Sequence, residues 1–492
     1  MPFPANKTKI ICTIGPASDS AEVLERMIRA GMNIARLNFS HGDFAGHGQT
    51  IQKIRQASIA AQRRVTIMAD LPGPKIRIGE FEAEPIELNS DDLFTLTVED
   101  IIGNQARVSV SFSPLPKVVK PEDKLFLNDG LIELEVLKIE GSDIRCKVIV
   151  GGELRSRKGL NLPGIDLGIG AFTDRDHECL KFAMENGVDA VSQSFVETGE
   201  DIRAVRKAAK DFGHDPFIIA KIERAGARNH IDEILEASDG IMIARGDLGV
   251  EIPIEKIALV QKNIMLKANL AGKPVITATQ MLESMTHSRR PTRAEATDVA
   301  NAILDGTDCV MLSGESAMGK YPVDATAMLA KIAAAIEPHR GASPIKGKLL
   351  SRREDDDVHL EDLIALSVET TLERITPPTV IVPTRSGATA RSITRFRLPV
   401  WITAFSRYEK TCQNLMFSYG VLPVCEPEHP DDWRLWARKW LQTVGEVGNL
   451  VVLTEGPSKK HPHRNNRIED MKRAAADTLR KIGNFPLMRS DQ

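Results

Sequence analysis

The chain has 492 residues, too many for one hydrophobic core, and its 42% hydrophobic, 27% charged composition predicts two to four ordinary globular domains. A net charge of −3 and the lack of any apolar run of membrane-spanning length exclude nucleic acid and membrane from the expected partners. The six cysteines are scattered without a CxxC pair, which favours free thiols and a cytoplasmic location over disulfides or zinc.

The first part of the chain alternates between strand-like and helix-like stretches. Strands are predicted at Lys9–Ile14, Asn33–Leu37 and Val65–Ala69. The alternation stops at Pro72-Gly73-Pro74, and up to residue 168 a period-two pattern with turns replaces it. Residues 72–168 are therefore predicted to form a small β-barrel domain inserted in the larger one. Its proline- and glycine-containing ends suit a hinged lid.

The strand and helix alternation returns at Thr173. The five further strand candidates are Ala190–Phe195, Phe217–Ile222, Ile241–Ala244, Val275–Ala278 and Cys309–Leu312. Together with the first three they make eight, the number that closes a (β/α)8 TIM barrel. The sequence thus predicts an α/β fold whose barrel comprises residues 1–71 and 169–340. A capping box at Thr292 and Glu295 marks the start of one barrel helix.

A charged, proline-containing stretch at residues 341–357 is predicted to be a linker, and residues 358–492 a separate C-terminal α/β domain. In that domain an apolar strand precedes a loop rich in hydroxyl groups, which comprises Thr384, Arg385, Ser386, Gly387, Ala388 and Thr389. A strand, such a loop and a helix can cradle phosphate, although an ordinary strand-to-helix turn explains the pattern equally well. The basic segment 458–464 is a further effector contact or a solvated loop.

Two predicted barrel strands are followed directly by charged residues. One apolar run leads into Lys221-Ile222-Glu223, and the next leads into Arg245-Gly246-Asp247. Because the carboxyl ends of parallel strands meet at one face of the barrel, Glu223 and Asp247 are expected to be neighbours there. Two carboxylates suit a magnesium ion that keeps positions open for substrate oxygens, and Lys221 suits an anionic substrate. The alternative is a pair of structural ion pairs.

Polar groups follow almost every predicted strand. This density favours an active site at the barrel mouth over ordinary loop solvation. The residues are Arg36, Asn38, Ser40, Asp70, Lys221, Glu223, Arg245, Asp247, Thr279, Ser313 and Glu315.

Several of these residues stand in long motifs that resemble those of pyruvate kinase, and the similarity extends in order from about Lys7 to about Pro322. The motifs are NIARLNFSHG at 33–42, KIE at 221–223, IARGDLGVE at 243–251, ATQMLESM at 278–285, RPTRAE at 290–295 and MLSGE at 311–315.

The resemblance implies a phosphotransferase that moves phosphoryl from phosphoenolpyruvate to ADP and yields pyruvate and ATP, the last step of glycolysis. It implies catalytic roles for Arg36, Lys221, Thr279 and Ser313, and substrate binding by Arg36, Lys221, Ala244, Arg245, Gly246, Asp247 and Thr279. It also implies that Glu223 and Asp247 hold Mg²⁺, which Mn²⁺ can replace, and that Asn38, His41 and Arg77 bind the nucleotide. The family further implies a homotetramer regulated by a phosphorylated sugar or nucleotide at the loop 384–389.

The chain departs from the family pattern at two places. Potassium-dependent members carry glutamate where this chain has Lys75, beside a potassium pocket equivalent to Asn38, Ser40, Asp70 and Leu71. An ammonium group and a potassium ion supply the same charge and repel each other at short range. Activity without potassium is therefore predicted, unless Lys75 is simply a surface lysine. At Glu197-Thr198, where many relatives have basic residues, a phosphate contact is missing.

Two other functions remain possible at this point. One is a magnesium-dependent lyase or aldolase that acts through a pyruvate enolate, although neither the lid nor a phosphoryl clamp at Arg36 is needed for that reaction. The other is a metabolite sensor without catalysis, which Lys221, Glu223, Asp247 and Thr279 argue against.

Overall fold

A computed structural model of the chain describes residues 2–341, 343–351, 360–428, 430, 432–446, 450–455 and 467–470. The contacts divide the protein into two compact units. One contains residues 5–352 together with 413–420. The other contains the described parts of 1–4, 353–412 and 421–492.

The first part of the larger unit alternates between strands and helices. Its elements are β1 (Lys9–Thr13), α1 (Ala21–Ala30), β2 (Met32–Asn38), α2 (Phe44–Ala61) and β3 (Thr66–Leu71).

The inserted β domain follows β3. Its elements are β4 (Ile86–Leu88), β5 (Leu93–Thr97), β6 (Arg107–Ser109), α3 (Leu115–Val118), β7 (Lys124–Leu127), β8 (Ile132–Glu140), β9 (Asp143–Val150), β10 (Gly152–Leu154) and β11 (Leu160–Asn161). Six strands form one sheet in the order β11-β7-β8-β9-β5-β6, and β10 pairs with β4 in a second. Buried and more exposed residues alternate along the start of β8, as expected for a sheet with one face on a core.

The alternation of strands and helices then resumes. The elements are α4 (Asp174–Glu185), β12 (Ala190–Gln193), α5 (Gly199–Asp211), β13 (Phe217–Ile222), α6 (Ile231–Ala237), β14 (Gly240–Ala244), α7 (Arg245–Glu251), α8 (Ile257–Leu270), β15 (Val275–Ala278), α9 (Arg293–Asp305), β16 (Cys309–Leu312), α10 (Gly314–Ala317), α11 (Pro322–Ile336) and α12 (Pro344–Leu350). Helix α12 lies within the stretch predicted to be a linker. Helix α9 begins at the predicted capping box, in which Thr292 and Glu295 exchange hydrogen bonds.

Eight strands close into a parallel barrel in the order β1-β16-β15-β14-β13-β12-β3-β2. This confirms the predicted (β/α)8 architecture. Strands such as β13 and β14 are buried at every position, because one face packs inside the barrel and the other packs against the helices. All eight carboxyl ends lie at one face, and the β domain is inserted there, after β3.

Residues 413–420 pack at the opposite, amino-terminal end of the barrel. Phe417 is fully buried and stacks on Phe217 at the start of β13, with ring centroids 5.1 Å apart. The carbonyl of Phe417 accepts a hydrogen bond from Cys309 Sγ, and the N–H of Tyr419 donates to Asp308. This segment therefore completes the apolar interior of the barrel.

The smaller unit is an α/β domain. Its elements are α13 (Leu360–Leu372), β17 (Thr379–Pro383), α14 (Ala388–Thr394), β18 (Trp401–Ser406), α15 (Glu409–Asn414), β19 (Val421–Cys425), α16 (Trp433–Val444), β20 (Val452–Glu455) and β21 (Arg467–Asp470). The sheet order is β19-β18-β17-β20-β21, parallel except for the last pair. No helix in the described ranges is long and apolar enough to cross a membrane.

Candidate active site

Asp70 lies at the centre of a buried charge cluster at the carboxyl ends of β2, β3 and β13. Its carboxylate accepts hydrogen bonds from Arg36 Nε at 2.8 Å, from Arg36 Nη2 and from Ser192 Oγ at 2.7 Å. Lys221 Nζ lies 3.2 Å from its Oδ1. Burial alone would raise the pKa of Asp70, but the charges of Lys221 and Arg36 outweigh it, so the pKa lies below its ordinary value. Asp70 is therefore a carboxylate that fixes two cations.

Lys221, near the end of β13, and Glu223, just after that strand, form the second half of this cluster. Lys221 Nζ lies 2.9 Å from Glu223 Oε1 and 2.5 Å from Ser194 Oγ. Burial acts to lower the pKa of the Lys221 ammonium, but Asp70 and Glu223 outweigh it, so the pKa lies above its ordinary value. Arg36 also donates from Nη1 to Thr13 Oγ1 at 2.8 Å. The barrel mouth thus holds two buried, permanently charged cations, a suitable arrangement for a phosphoryl group.

Glu223 and Asp247 lie close enough to affect each other. Burial raises the pKa of Glu223. The Lys221 ammonium opposes this increase, and the negative charge of Asp247 adds to it. Within the described residues no group of three or more histidine, cysteine or acidic side chains is placed to hold a metal. A pair of carboxylates fits Mg²⁺, which keeps several water or substrate ligands, and a divalent cation would relieve their repulsion.

Lys75, predicted to supply a cation beside the potassium pocket, has its closest ion-pair contact with an acidic residue of the next part of the site. Its Nζ lies 3.4 Å from Asp247 Oδ1, one of the two candidate metal ligands. Of the pocket residues, Asn38 Oδ1 accepts from the Ser40 N–H at 3.2 Å, and the Leu71 carbonyl accepts from Ser194 at 2.7 Å. The connection after β3 therefore carries the Lys75 ammonium to Asp247.

His41 lies among three cations. Its pKa is lowered by partial burial and then by the charges of Arg77, Arg36 and Lys75. An imidazole with a lowered pKa, within electrostatic range of three positive side chains, provides a hydrogen-bonding group and positive charge for an anion such as a polyphosphate. The structure thus brings His41 and Arg77, both predicted for the nucleotide, to the same side of the barrel mouth.

Thr279 ends β15 in a left-handed conformation, with φ of 69°. Its hydroxyl donates to the Ala278 carbonyl at 2.7 Å and accepts from the Gly246 N–H at 2.8 Å. Arg245 donates to the Thr279 carbonyl at 2.8 Å and pairs with Asp298 at 2.6 Å. Arg245 and Gly246 are thereby joined to Thr279, and both hydroxyl contacts of Thr279 are to backbone.

Ser313 follows β16, next to β15. Its N–H donates to Glu315 Oε2 at 2.7 Å, and the other oxygen of the fully buried Glu315 accepts from the Leu282 N–H. Among the described residues no hydrogen bond joins Ser313 to Thr279. Glu315 thus ties the loops after β15 and β16 together.

The departure at Glu197-Thr198 has a structural explanation. Glu197 Oε2 lies 2.9 Å from Arg224 Nη1, and Thr198 begins helix α5 in a capping box with Asp201. Neither side chain supplies a positive charge, so no phosphate contact arises from these two positions.

The predicted effector loop lies in the smaller unit, between β17 and α14. Gly387, with φ of 84°, donates from its N–H to Thr384 Oγ1 at 2.9 Å, and Ser386 Oγ accepts from the Ala388 N–H at 3.4 Å. The Arg385 carbonyl accepts from Thr411 at 2.7 Å, and Thr389 lies in the first turn of α14. The basic segment 458–464 lies outside the described residues.

Sequence reasoning missed four groups that support these side chains: Thr13, Ser192, Ser194 and Asp298. Thr13, Ser192 and Ser194 lie at or just beyond strand ends, so the strand-end pattern was a signal that could have identified them. Asp298 lies within α9 and approaches Arg245 only through the fold, so no local pattern marks it.

Comparison with known proteins gives one consistent result. Residues 5–326 match the family model "Pyruvate kinase, barrel domain", and residues 362–469 match "Pyruvate kinase, alpha/beta domain". The pyruvate kinase of Thermococcus litoralis is 47% identical over 93% of this chain and 96% of its own length. The pyruvate kinase of Clostridium acetobutylicum is 42% identical over 85% of this chain and 88% of its own length.

A solved structure supports the same assignment. The crystal structure of a pyruvate kinase from Cryptosporidium parvum has a TM-score of 0.87 and 37% identity, and the match covers 95% of this chain and 96% of that one. These relationships favour a phosphotransferase over the lyase and sensor alternatives. The chain therefore belongs to the pyruvate kinase family.

Proposed function

We propose that this protein transfers phosphoryl from phosphoenolpyruvate to ADP through the buried cluster of Arg36, Asp70, Lys221 and Glu223. The observation that carries the proposal is that Asp70 and Glu223 hold Arg36 and Lys221 charged and in place at the barrel mouth. Phosphoryl transfer requires positioning and stabilisation of spreading negative charge more than covalent chemistry. Arg36 and Lys221 meet that requirement from two sides of the transferring group.

In this proposal Glu223 and Asp247 hold magnesium, which Mn²⁺ can replace. When bound, the metal supplies Lewis-acid stabilisation of negative charge on a substrate oxygen. Ala244, Arg245, Gly246 and Asp247 orient the substrate carboxylate, since they begin α7 at the end of β14.

Thr279 orders the water that delivers a proton to the enolate carbon, and Ser313 lies further along that path. Threonine is too weak an acid to act unaided, so an ordering role fits it better. The hydroxyl oxygen of Thr279 can accept one more hydrogen bond beyond that from Gly246, which leaves room for such a water.

Asn38, His41 and Arg77 bind the nucleotide phosphates. The support is the cationic surroundings of His41, to which Arg77 contributes.

The test is pyruvate release from phosphoenolpyruvate, ADP and Mg²⁺. Lys221→Met should lower kcat by about a hundred- to a thousandfold, because it removes charge stabilisation made at the transferring group. Lys267→Met is the matched control, since Lys267 pairs with Asp232 on the barrel exterior and should leave the rate unchanged. Pyruvate release by Lys221→Met at the rate of the unaltered protein would overturn the assignment.

We also propose that activity does not require potassium, because Lys75 already supplies a fixed positive charge in the site. Its ammonium lies against Asp247, and its charge acts on His41. A potassium ion nearby would be repelled by this group.

Rates in potassium-free buffer should equal those with potassium, and Lys75→Glu should create a potassium requirement. Lys117→Glu is the control, because it makes the same charge reversal at an exposed position of the β domain. If the unaltered protein loses activity when potassium is removed, Lys75 is not the substitute cation.

A phosphorylated sugar or nucleotide is proposed as the effector at loop 384–389, in a cytoplasmic homotetramer. The support is the ring of hydroxyl and N–H groups around Gly387 and the alternation of strand and helix on either side. A panel of sugar phosphates and nucleotides at subsaturating phosphoenolpyruvate tests the effector, and sedimentation velocity tests the subunit number.

A further inference from the structure

Residues 193–195, at the carboxyl end of β12, contact both members of the charged pair Lys221 and Glu223 at the end of β13. Ser194 is 3% exposed, and its Oγ accepts a hydrogen bond from Lys221 Nζ at 2.5 Å. The N–H of Phe195 donates to Glu223 Oε2 at 2.7 Å. Phe195 has φ of 57°, a conformation that phenylalanine rarely adopts and that the surrounding contacts must hold. The positions of Lys221 and Glu223 therefore depend on where this segment lies.

The same segment contacts the chain where it enters the β domain. Ser194 Oγ donates to the Leu71 carbonyl at 2.7 Å. Gly73 has φ of 66°, and a Cβ there would lie 3.0 Å from Ser194 Cβ, from the Ser194 carbonyl and from Phe195 Cδ2. Glycine is required at this position both for the backbone conformation and for the close approach.

The chain returning from the β domain contacts the segment as well. The fully buried Gln193 donates from Nε2 to the Ala171 carbonyl at 2.8 Å. Close by, Arg224, which follows Glu223, donates to the Ile165 carbonyl at 2.6 Å. Both connections between the barrel and the β domain are thus bonded to residues that adjoin Lys221 and Glu223.

We propose that residues 193–195 couple the position of the β domain to that of Lys221 and Glu223, with Ser194 as the central positioning residue. The inference rests on the proposed role of Lys221. Close-packed interiors transmit displacements, so a movement of either connection shifts Ser194 and Phe195 and, with them, the lysine and the carboxylate. Domain closure over the substrate would then also bring the charged pair into its working geometry.

Four variants test this coupling: Ser194→Ala, Gln193→Met, Ser238→Ala and Lys221→Met. Ser194→Ala removes the hydroxyl that joins Leu71 to Lys221, and Gln193→Met removes the bond to Ala171 while keeping a similar volume. Ser238 is equally buried, but it precedes β14 at the other end of the barrel and serves as the matched control. The measurements are kcat, the KM for phosphoenolpyruvate, and hydrogen exchange of peptides spanning 71–76 and 165–171.

We expect Ser194→Ala to lower kcat by about 10- to 100-fold, as loss of supporting contacts does elsewhere, while KM changes by less than about threefold. Gln193→Met should lower kcat less, and both variants should exchange faster in the two connecting segments than Ser238→Ala. If Ser194→Ala does not fold, Gln193→Met alone decides, with the same two readouts.

A folded Ser194→Ala protein with unaltered kcat would overturn the proposal. So would a lower kcat without faster exchange, because Ser194 would then orient the lysine without any link to the β domain. The Lys221→Met variant distinguishes a failure of the coupling proposal from a failure of the proposed function. If it keeps full activity, the role of Lys221 itself fails, whereas its inactivity beside an unaffected Ser194→Ala refutes only the coupling.

Discussion

Replacing Asp70 with asparagine should destabilise the barrel, because the substitution removes the charge that neutralises two buried cations. The Asp70 side chain is 2% exposed, and those of Arg36 and Lys221 are each 10% exposed. Removing one partner of a buried ion pair costs roughly 3–5 kcal/mol. Lys221 retains Glu223, so we expect a loss near the lower limit, about 3 kcal/mol.

The assay is calorimetry, which measures the midpoint temperature of the thermal unfolding of the barrel. A loss of about 3 kcal/mol should lower that midpoint by roughly 6 °C or more for a domain of this size. Asp232→Asn is the matched control, because Asp232 pairs with Lys267 at the surface, where such pairs contribute little. A midpoint for Asp70→Asn within about 1 °C of the control would refute the reasoning.

The pH dependence of this difference provides a second check. The pKa of Asp70 in the folded protein lies below its ordinary value, so its carboxylate contributes stability above the ordinary carboxyl range of about pH 4. That contribution is lost as pH falls through the folded pKa, because the unfolded chain binds the proton first. The difference in the free energy of unfolding between the unaltered protein and Asp70→Asn should therefore be constant near neutrality and shrink only below about pH 4.

Three further predictions concern other parts of the protein. Asp298→Asn should reduce kcat/KM by up to roughly tenfold, because Arg245 loses the charged partner that holds it against the Thr279 carbonyl; unchanged steady-state kinetics would contradict this. Thr292→Ala should cost about 1 kcal/mol through loss of the α9 cap, while Thr292→Ser should retain it; equal melting temperatures for the two variants would argue against a capping role. Burial raises the pKa of the Cys12 thiol to about 12. Iodoacetamide at pH 8 should therefore modify the partly exposed Cys425 and spare Cys12 until the protein is unfolded. Mass spectrometry of the labelled peptides can establish this.

The eight barrel strands could be predicted from the sequence because each is a short apolar run buried on both faces. Their bounds agree with the prediction to within one or two residues, as for β13 and β15, which match at both ends. The start of α9 was equally accessible, because a capping box is a local interaction between Thr292 and Glu295. The domain boundaries at residues 71, 168 and 340 and the individual site roles remain predictions.

The position of Lys75 could not be predicted from its place in the chain. Its number puts it five residues after Asp70, yet its ammonium lies against Asp247 of α7, which follows β14, a strand three positions further round the barrel from β3. The length of the lysine side chain and the direction of the connection after β3 determine this contact. Neither produces a repeating pattern in the sequence. The role of Phe195 was equally hidden, because its contribution to Glu223 is a backbone N–H.

The sequence by itself determined the barrel, the inserted β domain and the strand ends that carry the candidate site residues, because apolar runs and the charged residues that end them are local patterns. Only the tertiary structure decided which groups are partners: that Asp70 holds Arg36 and Lys221, that Asp298 holds Arg245, and that Ser194 joins Lys221 to the Leu71 carbonyl. The physical reason is that charge pairing depends on distance in space, and barrel closure brings together residues that lie tens to hundreds of positions apart.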